Sequence, residues 1–154
     1  MKCASILTMA SLIVAFPFVL VSCSKDSNTT KPQLSIKSIN STDIPLNGTL
    51  DIILQFSSKK GNLGGGHFYA HRQRLNQSFV DTTTTNSNDF SGIIPSFSGT
   101  SKGEFEFTAD YGPLFQQNND PAENDTLEFK FAAMTVDSVW SDTITSPKII
   151  VRAQ

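Results

Sequence analysis

The chain has 154 residues, with 12 Lys and Arg against 14 Asp and Glu, two His and two Cys. A balance this close to neutral excludes a binder drawn to nucleic acid by charge. Two cysteines exclude a disulfide-built scaffold and a Cys-rich zinc module.

Met1-Lys2 is a short basic start, and residues 6–21 are apolar apart from Thr8, Ser11 and Pro17. That run is about 16 residues, the length of a secretory core and short of the ~20 that a spanning helix needs. It closes on Leu20-Val21-Ser22-Cys23, which resembles the lipobox of bacterial lipoproteins: an aliphatic residue, a tolerant position, a small residue, then Cys. The resemblance implies removal of residues 1–22, a thioether from the Cys23 thiol to diacylglycerol, and acylation of the new N-terminus. Two or three acyl chains hold a protein durably at a membrane, whereas one holds it only marginally. The competing reading is an ordinary signal peptide that ends near a cysteine. Cys3 lies in the segment to be removed and Cys23 is consumed by lipid, so the mature chain keeps no thiol for a disulfide, a metal or catalysis.

Residues 23–32 are read as the lipidated Cys and a flexible polar tether, SKDSNTTK running up to Pro32. Ser24-Lys25-Asp26 is similar to the start of Bacteroidota lipoproteins, where a Lys and following acids near the lipidated Cys direct surface display. Only one acid stands here, so the expectation is an outer-membrane anchor with surface-facing and periplasm-facing display both open.

Residues 33–154 are one domain's worth of chain, and period-2 alternation dominates them. Leu34 and Ile36 open a first strand to about Ile39, and Leu50, Ile52, Leu54 and Phe56 mark a second. Residues 67–75 make a third after Gly64-Gly65-Gly66, a turn that needs positive φ. Phe105 and Phe107 alternate with Glu104, Glu106 and Thr108. Leu127, Phe129, Phe131 and Ala133 alternate with Glu128 and Lys130, and a bulge near Ala133 or Met134 is expected to turn Met134 and Val136 inward. Ile144 and Ile149–Val151 close the domain, interrupted by Pro147. Phe56, Phe105, Phe107, Phe129 and Phe131 are the expected core, because Phe carries a large apolar surface and no polar handle. Residues 81–91 and 116–125 read as long polar connections. The pattern predicts an all-β, immunoglobulin-like two-sheet antiparallel β-sandwich of about seven strands, with a small closed barrel as the alternative.

Three stretches carry a resemblance to uncharacterised Bacteroidota lipoproteins with one immunoglobulin-like domain. They are the lipobox with Ser24-Lys25-Asp26, residues 50–64 from Leu50 through Ser57-Ser58-Lys59-Lys60-Gly61-Asn62-Leu63-Gly64, and Val139-Trp140-Ser141-Asp142-Thr143-Ile144 ahead of Ser146-Pro147. Related chains often have an acidic loop after the second strand. Here Ser58 and Asn62 replace those acids, with two lysines between, which weakens a cation site at that place. The resemblance implies no activity.

Candidate sites are sparse. His67 and His71 on one strand would lie about 13 Å apart, too far for one metal ion. Asp120, Glu123, Asn124 and Asp125, with Asn118 and Asn119, offer oxygen ligands in one loop but without EF-hand spacing; a solvated turn is the bland reading and a weak calcium site the sharper one. No nucleophile elbow is present, and Gly64-Gly65-Gly66 lacks the Lys and helix of a phosphate loop. The expectation is therefore a chain that is not an enzyme, with no cofactor and no metal. His71-Arg72-Gln73-Arg74 is the nearest approach to a basic patch. Among Phe90, Phe97, Tyr111, Phe115 and Trp140, placed at strand ends or in loops, the candidate ligand or partner contacts are Trp140, Tyr111 and Phe115. The alternative is that these rings cap the ends of the core. The expected function is a lipid-anchored, non-enzymatic envelope lipoprotein that binds an envelope protein or serves a structural role. The second hypothesis is a glycan-binding accessory of a polysaccharide uptake system.

Overall fold

The computed structural model describes residues 31–59, 63–76, 87–96, 101–114 and 123–153. The segments 1–30 and 115–122, which hold Cys23, Phe115 and Asp120, lie outside these described residues. In chain order the elements are β1 (Gln33–Ile39), β2 (Asp43–Ile44), β3 (Thr49–Ser57), β4 (His67–Arg74), β5 (Asp89–Ile93), β6 (Lys102–Asp110), the single turn α1 (Tyr111–Leu114), β7 (Asp125–Met134), β8 (Ile144–Thr145) and β9 (Ile149–Val151).

One sheet runs β1-β3-β6; the other runs β2-β9-β7-β4-β5, with β8 also paired to β7. This is the immunoglobulin-like division of strands, the first, second and fifth long strands facing the rest. Among the described residues there are nine strands, where about seven were expected. One pair, β2 with β9, is parallel where an antiparallel sandwich was expected. The additions are short or disguised. β2 has two residues, held against the chain end by Ile150 N–H to Thr42 O (2.8 Å), Arg152 N–H to Ile44 O (2.9 Å) and Arg152 Nε–H to Asp43 Oδ1 (2.7 Å). Those guanidinium hydrogen bonds hold the Asp43 carboxyl below the usual carboxylate range.

β5 falls where the sequence reads as polar connection. Its Gly92 resembles a strand breaker, yet a side chain there would collide with the Phe68 ring, so the glycine makes room for a neighbouring strand's aromatic. The turn before β4 behaves as its composition requires: Gly65 has φ +80°, and the turn is tied to the end of β5 by Gly65 N–H to Ile94 O and Ile94 N–H to Gly66 O, both 2.8 Å.

Alternation places Leu50, Ile52, Leu54, Phe56, Phe105, Phe107, Leu127, Phe129, Phe131 and Ala133 in one buried cluster. Phe107 of β6 is its hub. Its ring centroid lies 5.3 Å from Phe129, 5.4 Å from Phe131, 5.6 Å from Phe90 and 6.3 Å from Phe68, all on the opposite sheet. Phe90, read from sequence as a rim aromatic, is therefore part of the inter-sheet packing.

The bulge expected in β7 is absent. Asp125, Leu127, Phe129, Phe131 and Ala133 are buried in unbroken alternation, and the next inward position is Thr135, not Met134 or Val136. Polar turn chemistry is the cause. Thr135 accepts from Val139 N–H at Oγ1 (3.0 Å) and from Ser138 N–H at its carbonyl (2.9 Å), while Ser138 sits at φ +63°. The chain reverses there, leaving Val136 in solvent and Trp140 bridged to Met134. A register shift does occur, in β1 between Ile36 and Ser38. Beside the short β8, buried Ser141 and Ser146 extend the ladder, accepting from Ala133 N–H (3.0 Å) and Phe129 N–H (2.9 Å) at Oγ.

Phe107→Ala is expected to cost about 3–5 kcal/mol, the range for a buried aromatic left as a cavity. Urea unfolding should show a lower midpoint at an unchanged slope.

Candidate functional site

Because Phe68, Ala70 and Arg72 of β4 point into the sandwich, His67, Tyr69 and His71 must point out. Their neighbours follow from register. His67 lies between Ile93 and Met134, Tyr69 between Ser91 and Ala132, and His71 between Asp89 and Lys130. Trp140 extends the first row through its bridge to Met134. Ser91 and Ala132 are too small to fill the space beside Tyr69, whose ring leans diagonally to Trp140 with centroids 4.9 Å apart and planes tilted by 40°. The two rings are 37% and 47% exposed.

The result is an open trough of about 480 Å³ on the outer face of the larger sheet, within the size range of small-ligand sites. Tyr69 stands at the row of small residues Ser91 and Ala132, and His71, Asp89 and Lys130 form the polar side. There His71 Nδ1 lies 2.8 Å from Asp89 Oδ1, and Lys130 Nζ donates to Gln73 Oε1 at 2.8 Å. A second depression, about 120 Å³ and lined by Lys31, Lys59, Lys102 and serines, lies at the ends of β3 and β6 and is much smaller.

Six large apolar side chains are exposed among the described residues: Leu46, Tyr69, Ile93, Val136, Trp140 and Ile150. The register places three of them, Tyr69, Ile93 and Trp140, at one corner, where β4 begins and β5 and β7 end. Val136 lies beside them, next to Gly65, which is hydrogen-bonded to Ile94. Scattered exposed apolar residues need no explanation, but a contiguous group beside a trough does.

Of the residues singled out by sequence, Trp140 belongs to this corner and Tyr111 does not. Tyr111 is 7% exposed, and its hydroxyl donates to Arg152 O at 2.7 Å. Arg152 follows Val151, which pairs with Asp125 at one end of the ten-residue β7; Trp140 is bridged to Met134 at the other. About 30 Å of strand separates those ends at ~3.3 Å per residue. Burial, and secondarily the Asp125 charge, push the Tyr111 phenol up. Tyr69, with no signal beyond its place in a strand, is the partner that sequence reading missed.

The remaining charged candidates are turned to structural use. Arg72 is 1% exposed beneath β4. Its guanidinium donates to Asn88 Oδ1 (3.0 and 3.2 Å), Ser87 O (3.2 Å), Leu114 O (3.0 Å) and Pro113 O, so it joins α1 to the start of β5. Burial draws its pKa below the usual value. Arg74 is ion-paired with fully buried Asp125 and with Glu123 (3.5 Å). Asn76 Nδ2 donates to Glu123 Oε1 (2.6 Å), and Asn124 Oδ1 accepts from Ala153 N–H (2.8 Å). The basic stretch at residues 71–74 is thus no surface patch, and the described part of the acidic loop spends its oxygens on protein donors. Among the described residues no group of three or more His, Cys, Asp or Glu is placed to hold a metal ion. His67 and His71 are exposed on the same strand face.

No family model matches the chain, and no curated protein matches it. Among solved structures, a β-glucosidase from Listeria innocua in complex with glucose is similar at 10% identity and a TM-score of 0.37, over 80% of this chain and 16% of that one. A likeness this distant bears on neither fold nor activity. No helix among the described residues is long and apolar enough to cross a membrane.

Two outcomes test the buried polar end. Asp125→Ala removes the fully buried partner of Arg74 and leaves it only the longer Glu123 contact, and should cost up to about 3–5 kcal/mol in urea unfolding. Folded Tyr111 keeps its proton at a pH where the unfolded phenol, with an ordinary pKa near 10, loses it. The native state then binds more protons, so stability falls as pH rises past about 10. Tyr111→Phe should lower the unfolding midpoint at pH 8 and flatten its decline above pH 10.

Proposed function

We propose that this chain is a lipid-anchored envelope protein whose sandwich is a non-enzymatic binding module, with the Tyr69–Trp140 corner as its contact surface. One observation carries the contact surface: four of the six exposed large apolar side chains among the described residues gather there beside the trough. A folded domain leaves such a group in water at a cost in solubility, and a partner that covers it recovers the hydrophobic free energy. Two independently exposed aromatic rings are the side chains that dominate binding energies when they are buried against a partner. The anchor is supported by the sequence of residues 1–23 alone, through the apolar run and Leu20-Val21-Ser22-Cys23.

Each half has its own test. The wild-type chain should incorporate labelled fatty acid and Cys23→Ala should not, keeping residues 1–22 uncleaved; a wild-type chain that takes up no label, or a Cys23→Ala variant that still does, overturns the lipid anchor. Trp140 is the only tryptophan in the chain, so fluorescence reports on the corner without a label. Envelope fractions from the producing cell should shield Trp140 from acrylamide quenching in the wild-type protein and fail to bind the Tyr69→Ala variant. Quenching unchanged by every fraction overturns the contact surface.

A further inference from the structure

The trough beside Tyr69 is asymmetric in a way that selects a ligand chemistry. One side is aromatic: Tyr69 lines it, and the Trp140 ring just outside the lining packs on Tyr69 at a tilt of 40°, so the pair forms a shallow wedge instead of a flat stack. The other side is a polar row, with His71 flanked in register by Asp89 and Lys130. Between them the floor is low because Ser91 and Ala132 oppose Tyr69.

The polar row holds one carboxylate acceptor, one ammonium donor and an imidazole that does either. Asp89 and Lys130 offset each other, so the row offers mixed donors and acceptors with almost no net charge. That argues against a phosphate or another strongly charged ligand, which needs converging charge of one sign. It suits a ligand that is itself donor and acceptor at every substituent. The aromatic wedge suits a ligand with an apolar C–H face, since π faces are negative and attract C–H edges. A pyranose ring joins both properties: C–H bonds on its face and hydroxyls around its rim. The volume, about 480 Å³ and open along the sheet, admits a ring within a longer chain.

We infer that this trough is a saccharide-binding site, in which Tyr69, buttressed by Trp140 at the trough's edge, stacks on a sugar ring while Asp89, His71 and Lys130 hydrogen-bond its hydroxyls. The inference rests on the reading of this corner as a contact surface and gives that surface a ligand class. Asp89 accepts from a hydroxyl, Lys130 donates to one, and the existing His71–Asp89 contact pre-orients both groups, which lowers the cost of ordering them on binding.

The test uses the full-length chain in a detergent without a sugar headgroup. Neutral hexasaccharides of glucose, mannose, galactose and xylose are titrated while Trp140 emission is followed. At least one should shift the emission saturably. Tyr69→Ala should then weaken that ligand by about tenfold or more, the loss typical of an aromatic anchor. By calorimetry, Trp140→Phe should retain binding that Trp140→Ala loses, because a ring of either kind can buttress Tyr69. Asp89→Asn should weaken binding several-fold, and Glu104→Gln, on the outer face of the other sheet, should leave it unchanged. The absence of any saturable response up to about 10 mM, beyond useful affinity, overturns the inference. So does binding that ignores Tyr69→Ala. Shielding of Trp140 by an envelope fraction that protease abolishes and periodate spares identifies a protein partner; that result overturns the saccharide and leaves the contact surface standing. Shielding abolished by periodate supports the saccharide.

Discussion

The two sheets are held in one relative register by the phenylalanine rings between them, and the outer surface inherits its pattern from that packing. Phe107 meets rings from three strands of the opposite sheet, and sheets stacked face to face sit about 10 Å apart with their inner side chains interlocked. Sliding β4 by one residue would bring Tyr69 and His71 inside and expel Phe68, Ala70 and Arg72. The Tyr69–Trp140 pair is therefore a consequence of the core. The candidate trough exists because the strand's other face is committed to Phe68 and its neighbours.

The end of the sandwich near Tyr111 is built on a different principle. There the core is closed by buried polar groups: Arg72 on the carbonyls of α1, Arg74 on Asp125, and the Tyr111 hydroxyl on Arg152. Every buried side-chain nitrogen and oxygen among the described residues has a partner, as burial of charge demands. These contacts join segments far apart in sequence, and they withdraw from the surface the residues that looked most like a basic patch or a cation loop. The two ends of β7 thus divide the work: one end locks the chain, the other presents exposed rings.

The strands with strong alternation were legible because side-chain direction in a strand has period 2, whatever the fold. Leu50, Ile52, Leu54 and Phe56, or Leu127 through Ala133, could face only one way. β2 and β5 were not legible. Two residues carry no period, and Gly92 breaks the period of β5 for the sake of Phe68, a neighbour on another strand. Met134 and Val136 were misplaced for a related reason. Hydrophobicity favoured turning them inward, but Thr135 supplies both the hydroxyl and the carbonyl that the Ser138 turn needs, and that local hydrogen bonding decided the matter.

The candidate site divides along the same line. Trp140 was visible as an aromatic at the end of a hairpin, and the resemblance of Leu20-Val21-Ser22-Cys23 to a lipobox was read without any fold. The sequence by itself determined which residues alternate, which segments turn, and that the domain is all β, because these depend on backbone geometry and near neighbours. Only the tertiary structure decided that Tyr69 joins Trp140 about 70 residues away, that Tyr111 is buried at the opposite end, and that Arg72 and Asp125 lie inside. Those outcomes depend on which strands pair and in what register, and pairing is settled by the packing of rings contributed from all along the chain.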